Sequence, residues 1–458
     1  MARYLEAAEQ ALAYVDSLRV DVAPPVAGVP SRVKWRHSDD ADAPADRSLY
    51  YGSAGIVLAL LEHHALTGSV ASRDLAVAAG QEMVEWLGTV MARGQALSVS
   101  LASGWPGYAF TLAELAVATG RSDFRDVAAE CLVRLRAQAT TLGNGIGWIE
   151  PMPFSEITGM TGDREIFDQS VGAAGAGLGL LHAHRLGLHE DSLAWARQVG
   201  ARLLEVAEPD AAGLRWTMMA DMPFPFTAPN FAHGGAGVAY FLAQLFATTG
   251  EARFLDAAIA GANYVLSRGT PVGDDGLLVC HTEEARTPIY YLGTCHGPAG
   301  TGRTFMLLSD LTGDAIWRGH AERLLRGVRA LGAPEQRSKG FWNNHGQCCG
   351  DAGVGDFALL MWRRTGDAAH LELARRCADV LLAQGSAQGA GRCWRHAEHR
   401  DDPAFVQAQA GYMQGAAGIA SFLMHLQGCI DGRPVKLALP DWQFEPAAIP
   451  AAARGQQA

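Results

Sequence analysis

The sequence lacks the features that mark several large classes of protein. Basic residues are not in excess, because 37 Lys and Arg stand against 48 Asp and Glu, a formal net charge of -11, and the electrostatic footprint of a nucleic-acid-binding protein is therefore missing. No stretch reaches the roughly 18 unbroken apolar residues that a membrane-spanning helix needs. The first 20 residues carry acidic side chains in an amphipathic pattern, unlike a secretory signal peptide. We therefore expect a cytoplasmic protein with no transmembrane segment and no nucleic-acid partner.

Cysteine is also scarce, since eight cysteines in 458 residues are too few for a disulfide scaffold. Three of them nevertheless stand one or two residues before the first glycine of a Gly-x-x-Gly turn, Cys295 in one segment and Cys348-Cys349 in another. Three thiolates with one open coordination position suit a catalytic zinc ion. The competing interpretation is that these are buried apolar cysteines, because cysteine is among the most buried residue types.

The Gly-x-x-Gly turn recurs at intervals of 52 to 68 residues along the whole chain. Each copy precedes an apolar run typical of a buried helix, and a second, more charged helix follows most copies. In five copies a glycine 16 residues after the first glycine predicts a left-handed helix end. The first glycines of the seven turns are Gly52, Gly104, Gly172, Gly234, Gly297, Gly350 and Gly415. The predicted helix ends are Gly68, Gly120, Gly250, Gly313 and Gly366, with Gly187 and Gly428 in the less regular third and seventh copies.

Seven inner helices need seven outer partners, and the N-terminal helix, about residues 2–18, supplies the partner that the C-terminal end lacks. This arrangement predicts an all-α fold, an (α/α)7 toroid in one domain over residues 1–438, closed by the N-terminal helix. A Pro/Ala-rich tail follows over residues 439–458. The long connections carry short Gly-to-Trp segments that predict β-hairpins at the rim, with the tryptophans packed at repeat junctions.

Aligning the seven turns shows where reactive side chains gather. In repeats four, five and six they stand one or two residues before the first glycine, and repeat three adds one four residues before its glycine. In chain order, the reactive side chains of these repeats are Asp168, His233, Cys295 with His296, and Cys348 with Cys349. Neighbouring repeats of one ring would bring them to one side of a central cavity.

With these motifs the chain resembles the LanC family of lanthionine synthetases, the cyclases of lanthipeptide biosynthesis, over nearly its full length. The resemblance implies a Zn2+ ion held by Cys295, Cys348 and Cys349. Cys349 stands where the family commonly has histidine, and a subset of lanthipeptide synthetases similarly has Cys-Cys-Gly. The family's Cys-His-Gly motif could also be aligned with Cys295-His296-Gly297. That alignment would shift the register by one repeat. His296 and His345 stay open as substitute ligands.

The implied activity is the addition of a peptide cysteine thiolate to dehydroalanine or dehydrobutyrine in a dehydrated precursor peptide, which forms a thioether ring. His233 is the expected acid or base because imidazole titrates near neutrality, and Asp168 orients it or takes part in proton transfer. Capping of the turn is the alternative role for His233, and N-capping of the inner helix is the alternative for Asp168.

Two other functions remain open. A LanC-like enzyme that adds glutathione or another small thiol to dehydroamino acids would use the same residues, and a noncatalytic peptide-binding scaffold would use none of the chemistry. A sugar-processing toroid is less favoured because it would want paired carboxylates. No kinase or dehydratase region is visible, so dehydration is expected from a separate dehydratase or kinase-lyase.

Overall fold

Helices in sequence-adjacent pairs dominate the structure, a computed structural model that describes residues 3–23, 31–152, 161–222, 226–284, 287–337, 341–433 and Leu439. Within these ranges none of the helices combines the length and apolar character that crossing a bilayer requires. The inner helices are α2 (Ser53–Thr67), α4 (Trp105–Thr119), α6 (Ala173–Arg185), α8 (Gly235–Thr249), α10 (Pro298–Thr312), α12 (Asp351–Thr365) and α14 (Ala416–Ile430). The outer helices are α1 (Arg3–Ser17), α3 (Val70–Ala92), α5 (Ser122–Ala137), α7 (Ser192–Glu205), α9 (Ala252–Ser267), α11 (Ala315–Ala330) and α13 (Ala368–Gln384).

Inner and outer helices differ in the way they are buried, as their sequences predict. In α8 every residue from Gly235 to Ala247 is buried, consistent with an apolar surface on all sides. Its partner α9 buries only one stripe, which includes Phe254, Ala258 and Val265. The charged side chains of the outer helices lie on the opposite face. Each pair therefore combines an inner helix that is buried on all sides with an outer helix that is buried on one side.

The Gly-x-x-Gly turns fold back so closely on the following helix that a side chain would collide with backbone. A Cβ atom at Gly237 would lie 2.0 Å from the carbonyl oxygen of Phe231, and one at Gly300 would lie 2.0 Å from that of Thr294. Backbone atoms cannot give way as a flexible side chain can, so only glycine fits these positions. The repeated motif is thus a steric requirement of the turn.

The predicted left-handed helix ends are confirmed in five copies, where Gly68, Gly120, Gly250, Gly313 and Gly366 have φ between 70° and 76°. Gly187 also has a positive φ of 60°. The prediction for the seventh copy was wrong.

In that seventh copy α14 runs past Gly428 to Ile430, and Gly432 takes the left-handed conformation with φ 67°. Gly428 instead allows a close approach of the chain, because an added Cβ would lie 2.6 Å from the carbonyl oxygen of Arg433.

Hairpins are present in three of the four connections in which a Gly-to-Trp segment predicted one, and the strands are short. They are β1 (Arg19–Val22), β2 (Arg32–Arg36), β3 (Ala45–Asp46), β4 (Thr140–Leu142), β5 (Gly145–Gly147), β6 (Ile149–Pro151), β7 (Asp163–Glu165), β8 (Glu208–Asp210), β9 (Gly213–Arg215), β10 (Gly269–Val272), β11 (Gly276–Val279), β12 (Tyr290–Tyr291), β13 (Phe341–Trp342), β14 (Ser386–Gln388), β15 (Gly391–Cys393), β16 (Arg395–Ala397) and β17 (Val406–Ala408). Local hairpins join β4 to β5, β8 to β9, β10 to β11 and β14 to β15.

Three of the hairpin tryptophans are structural residues. The indole N–H groups of Trp148, Trp216 and Trp394 donate to backbone carbonyls of Leu135, Leu203 and Leu381 at 2.8 to 2.9 Å. Each acceptor lies 13 residues earlier, near the end of the preceding outer helix. The same bond recurs in three repeats because it satisfies a helix-end carbonyl and fastens the hairpin to the helix.

The chain divides into two compact units. Of the described residues, one unit comprises those within 3–96, 107–128 and 342–439, and the other comprises those within 97–106 and 129–341. In the first unit the N-terminal helix α1 packs along α14, and the hydroxyl of Tyr14 donates to the carbonyl oxygen of Ala408 at 2.7 Å. α1 therefore occupies the place of an outer partner to the last inner helix. The predicted tail, apart from Leu439, lies outside the described residues.

A buried histidine between two carboxylates ties three inner helices of this first unit together. His425 Nδ1 lies 2.8 Å from Asp356 Oδ1, and His425 Nε2 lies 3.0 Å from Glu62 Oε1. Burial lowers the pKa of His425, but the carboxylates of Asp356 and Glu62 outweigh this and raise the pKa to about 10. An imidazolium is therefore part of the core at neutral pH, held by α2, α12 and α14.

We expect replacement of His425 to expose how much the core depends on this cation. His425→Gln leaves two buried carboxylates without their counter-charge, which costs about 3–5 kcal/mol in the free energy of unfolding, measured by urea denaturation at pH 6. Because the folded-state pKa is raised, the stabilisation is complete below about pH 6.5 and declines as the pH rises toward about 10. The difference between wild type and variant should shrink over that range.

The matched control is His399→Gln, because the side chain of His399 is 51% exposed. An equal loss of stability in both variants, or a difference that grows with pH, would contradict this assignment.

Candidate metal centre

Backbone hydrogen bonds join the turns at one register position, two residues before the first glycine of each Gly-x-x-Gly turn. In one unit the N–H groups of Ala102, Ser170 and Ala232 donate to the carbonyls of Ser170, Ala232 and Cys295 at 3.3, 3.1 and 2.7 Å. In the other unit the N–H groups of Cys348 and Met413 donate to the carbonyls of Met413 and Tyr50 at 2.8 and 3.1 Å. The position at which the repeats align in the sequence is therefore also the position at which consecutive turns form hydrogen bonds.

Two cysteines at this register position, Cys295 and Cys348, and the adjacent Cys349 offer a set of close sulfur donors. The ligand atoms of Cys295, Cys348 and Cys349 all lie within 4.8 Å of one another, and the residues are only 5 to 7% exposed. Cys348 and Cys349 are adjacent in sequence, yet their Sγ atoms converge to 3.6 Å. Such a group can hold a metal ion, as predicted for these residues.

The donor set fits zinc in both chemistry and geometry. Zinc is bound tetrahedrally by thiolates at about 2.3 Å, which separates two sulfur ligands by about 3.8 Å. The 3.6 Å between Cys348 Sγ and Cys349 Sγ is close to that edge and much longer than the roughly 2.05 Å of a disulfide. Among the described residues, this group of donors includes neither His296 nor His345. Three sulfur ligands would leave one position of a tetrahedral zinc ion for another ligand.

His233 and Asp168 form a pair within one unit. His233 Nδ1 lies 2.8 Å from Asp168 Oδ2, while Asp168 Oδ1 accepts the backbone N–H of Val171 at 2.7 Å. Asp168 is 1% exposed. One oxygen atom of Asp168 thus holds the turn and the other contacts His233. The N-cap of α6 is Gly172, which has no side-chain capping bond, so Asp168 does not fill its alternative role as the N-cap of this helix. In the neutral imidazole this contact places the proton on Nδ1 and leaves Nε2 to accept one.

His296 lies beside His233 among further rings. Its ring centroid is 5.3 Å from that of His233 and 4.3 Å from that of His281, which in turn stacks on Tyr291 at 4.4 Å. Burial, with smaller contributions from His281 and His233, holds the pKa of His296 well below its usual range. His296 is therefore a neutral imidazole next to the predicted acid–base residue.

His345, which the sequence left open as a substitute metal ligand, contacts a carboxylate instead. Its Nδ1 lies 3.3 Å from Asp351 Oδ2, and Asn343 Nδ2 donates to Asp351 Oδ1 at 2.5 Å. Asp351 is the first residue of α12 and is fully buried. His345 thus helps to fix the helix start that follows Cys348 and Cys349.

The family model described as "Lanthionine synthetase C-like protein" matches residues 150–428, more than half of the chain. This chain belongs to the lanthionine synthetase C-like family. No curated protein matches it.

Among solved structures, nisin cyclase matches this lanthionine synthetase C-like protein with a TM-score of 0.56 and 14% identity over 84% of this chain and 89% of that one. A glycoside hydrolase family 76 mannosidase from Bacteroides thetaiotaomicron matches with a TM-score of 0.51 and 12% identity, over 94% of this chain and 100% of that one. Likeness at such low identity shows the fold alone. The predicted fold class, an (α/α)7 toroid of helical hairpins with short β-hairpins, is confirmed.

Sequence reasoning missed two polar residues beside the cysteines of this lanthionine synthetase C-like chain. Gln414 and Tyr50 stand one and two residues before the first glycines of the seventh and first turns, and both lie near Cys349 or Cys348 in the structure. The aligned register contained the signal. It was passed over because amide and phenol groups are weaker indicators of chemistry than thiols and imidazoles.

We expect Asp168→Asn to change the tautomer of His233 while leaving the turn intact. Asparagine keeps an oxygen to accept the Val171 N–H, but its amide now faces Nδ1 as a donor, so neutral His233 must carry its proton on Nε2. Nitrogen-15 NMR of the imidazole should show Nδ1–H in wild type and Nε2–H in the variant, with unchanged thermal stability. An Nδ1–H imidazole in both proteins would contradict the assignment. Asp168→Ala, which loses both contacts, should in addition lower stability by about 1 kcal/mol.

Proposed function

We propose that this protein is a zinc-dependent cyclase that adds a cysteine thiolate of a dehydrated precursor peptide to dehydroalanine or dehydrobutyrine. The observation that carries the proposal is the group of three buried cysteines with ligand atoms within 4.8 Å in a chain of the lanthionine synthetase C-like family. The structural likeness to nisin cyclase supports the same reaction class. Metal ligands are Cys295, Cys348 and Cys349, and the catalytic residues are His233 and Asp168.

The bound ion would supply one thing, a lowered pKa for the substrate thiol, so that the nucleophile is a thiolate near neutral pH. Zinc held by three thiolates would give the site a net charge of -1. A site that is already anionic leaves an incoming sulfur more nucleophilic than a site with a neutral third ligand would. The burial of the cysteines strengthens these electrostatic effects by excluding water.

His233 and Asp168 handle the proton. His233 Nε2 takes the proton of the substrate thiol, and the Asp168 carboxylate at 2.8 Å from Nδ1 stabilises the imidazolium that results. The C–S bond then forms as the C=C π bond breaks, and the electron pair moves to the α-carbon and its carbonyl group. Return of the proton from His233 to the α-carbon completes the addition. Sulfur and hydrogen are thus added across the double bond with no oxidant or reductant.

The substrate and compartment follow from this chemistry. The reaction needs a peptide that another protein, a dehydratase or a kinase-lyase, has already dehydrated. It also needs thiolates that stay reduced, which fits a cytoplasmic location.

The decisive experiment offers the zinc-loaded protein a dehydrated peptide that contains one cysteine and one dehydroalanine. We expect the product to keep its mass and to lose its reactivity toward a thiol-alkylating reagent, because cyclisation consumes the thiol without changing composition. His233→Ala should slow the reaction by about 10²- to 10⁴-fold, the usual contribution of a general acid–base, with zinc content unchanged. A peptide that remains alkylatable at a rate no better than without protein would contradict the proposal.

Parallel incubation with glutathione and a cysteine-free dehydrated peptide separates the rival functions. A mass increase by one glutathione, without cyclisation of the first peptide, would favour a small-thiol enzyme. Peptide binding without either reaction would favour a scaffold.

Cys349→Ser tests the third ligand, with Cys377→Ser, a buried helix cysteine, as the matched control. Loss of a direct ligand should weaken zinc binding by more than the roughly 10- to 100-fold that loss of a supporting residue costs. Equal zinc content and activity in both variants would remove Cys349 from the site.

A further inference from the structure

Gln414 places a side-chain amide against the sulfur of Cys349. Its Nε2 lies 3.6 Å from Cys349 Sγ and 3.0 Å from the hydroxyl oxygen of Tyr50. Its Oε1 accepts from Asn344 Nδ2 at 3.0 Å. Gln414 is 1% exposed, so these contacts are shielded from bulk solvent. A primary amide has two N–H donors, and here one faces a phenol oxygen and the other a thiol sulfur.

The orientation of this amide is fixed by the hydrogen-bond network. Asn344 Oδ1 accepts the backbone N–H of Gly346 at 3.0 Å, so its NH2 group is the end that faces Gln414. The Gln414 carbonyl oxygen must meet that donor, and its NH2 group must therefore face Tyr50 and Cys349. Asn344 is itself held, because its backbone N–H donates to the carbonyl of Cys349 at 2.9 Å.

The network closes on the same short segment that carries the cysteines. Asn344 and Cys349 are bonded through backbone, Asn344 and Gln414 through side chains, and Gln414 and Cys349 through an N–H···S contact. A rotation of the Cys349 side chain would break the last of these bonds and leave a buried donor unsatisfied, at a cost of about 1–3 kcal/mol. The contact therefore selects the rotamer that brings Cys349 Sγ to within 3.6 Å of Cys348 Sγ.

We propose that Gln414 is a positioning residue for the metal centre, which holds Cys349 in its ligating rotamer and withdraws charge from its sulfur through an N–H···S hydrogen bond. This inference rests on the proposed zinc site. Three thiolates concentrate negative charge in a buried place, and a neutral, preoriented amide dipole disperses part of it without occupying a coordination position. Tyr50 supports the amide from its other side.

The test is metal affinity and the spectrum of the cobalt-substituted protein, neither of which needs substrate. In Gln414→Leu we expect zinc affinity, measured by chelator competition, to fall about 10- to 100-fold. The sulfur-to-cobalt charge-transfer band should move to lower energy, because a sulfur without its hydrogen bond donates electrons more readily. Gln414→Glu, which keeps the shape but places a carboxylate oxygen against the sulfur, should weaken zinc binding further.

The matched control is Gln409→Leu, another buried glutamine of the same segment, whose Nε2 donates to Glu398 Oε2 at 2.8 Å. It should leave the affinity and the charge-transfer band unchanged. Because Gln414→Glu conserves size, a folded variant is available even if the leucine variant unfolds.

The failure of this inference is distinguishable from failure of the proposed function. Wild-type affinity and an unshifted band in Gln414→Glu or folded Gln414→Leu would overturn the role of Gln414 and leave the zinc site standing. Wild-type protein that binds neither zinc nor cobalt through sulfur would overturn both.

Discussion

The hydrogen bonds between backbone groups of consecutive turns are the constraint on which the candidate site depends. Each links the residue two places before the first glycine of one turn to the same position in the next, as in Ala232 N–H to the carbonyl of Cys295 at 2.7 Å. A side chain at this position cannot move far from its counterpart in the neighbouring repeat. Cys295 and Cys348 occupy this position in their own repeats, and each is bonded in this way to one neighbouring turn, Cys295 to Ala232 and Cys348 to Met413.

The turns can make these bonds only because glycine removes the side chains that would keep their backbones apart. The close approach of the turns also buries polar groups. Networks of side chains supply the hydrogen-bond and ion-pair partners of these groups. Asp168 holds its own turn and contacts His233, while His425 supplies a counter-charge to two carboxylates between inner helices. Polar residues in the core thus hold the turns and helices that present the ligands.

Much of the fold was predictable from the sequence because it depends on local steric rules. Glycine spacing located the helix starts, left-handed glycines located five helix ends, and the register identified the three cysteines and the His233–Asp168 pair as candidates. The end of α14 was misplaced because Gly428 is required by a contact with the chain at Arg433, a constraint without local signature. The links of Gln414 to Cys349 and of His425 to Glu62 join residues 65 and 363 positions apart, and neutral or isolated polar residues give no pattern that reveals such pairs.

The most direct measurement of the central claim is X-ray absorption at the zinc edge of the purified protein, with and without a cysteine-containing peptide. Three sulfur neighbours at about 2.3 Å, rising to four when the peptide thiol binds, are the predicted result. A shell of nitrogen and oxygen neighbours, or a sulfur count that the peptide does not change, would contradict a three-cysteine site with a place for the substrate.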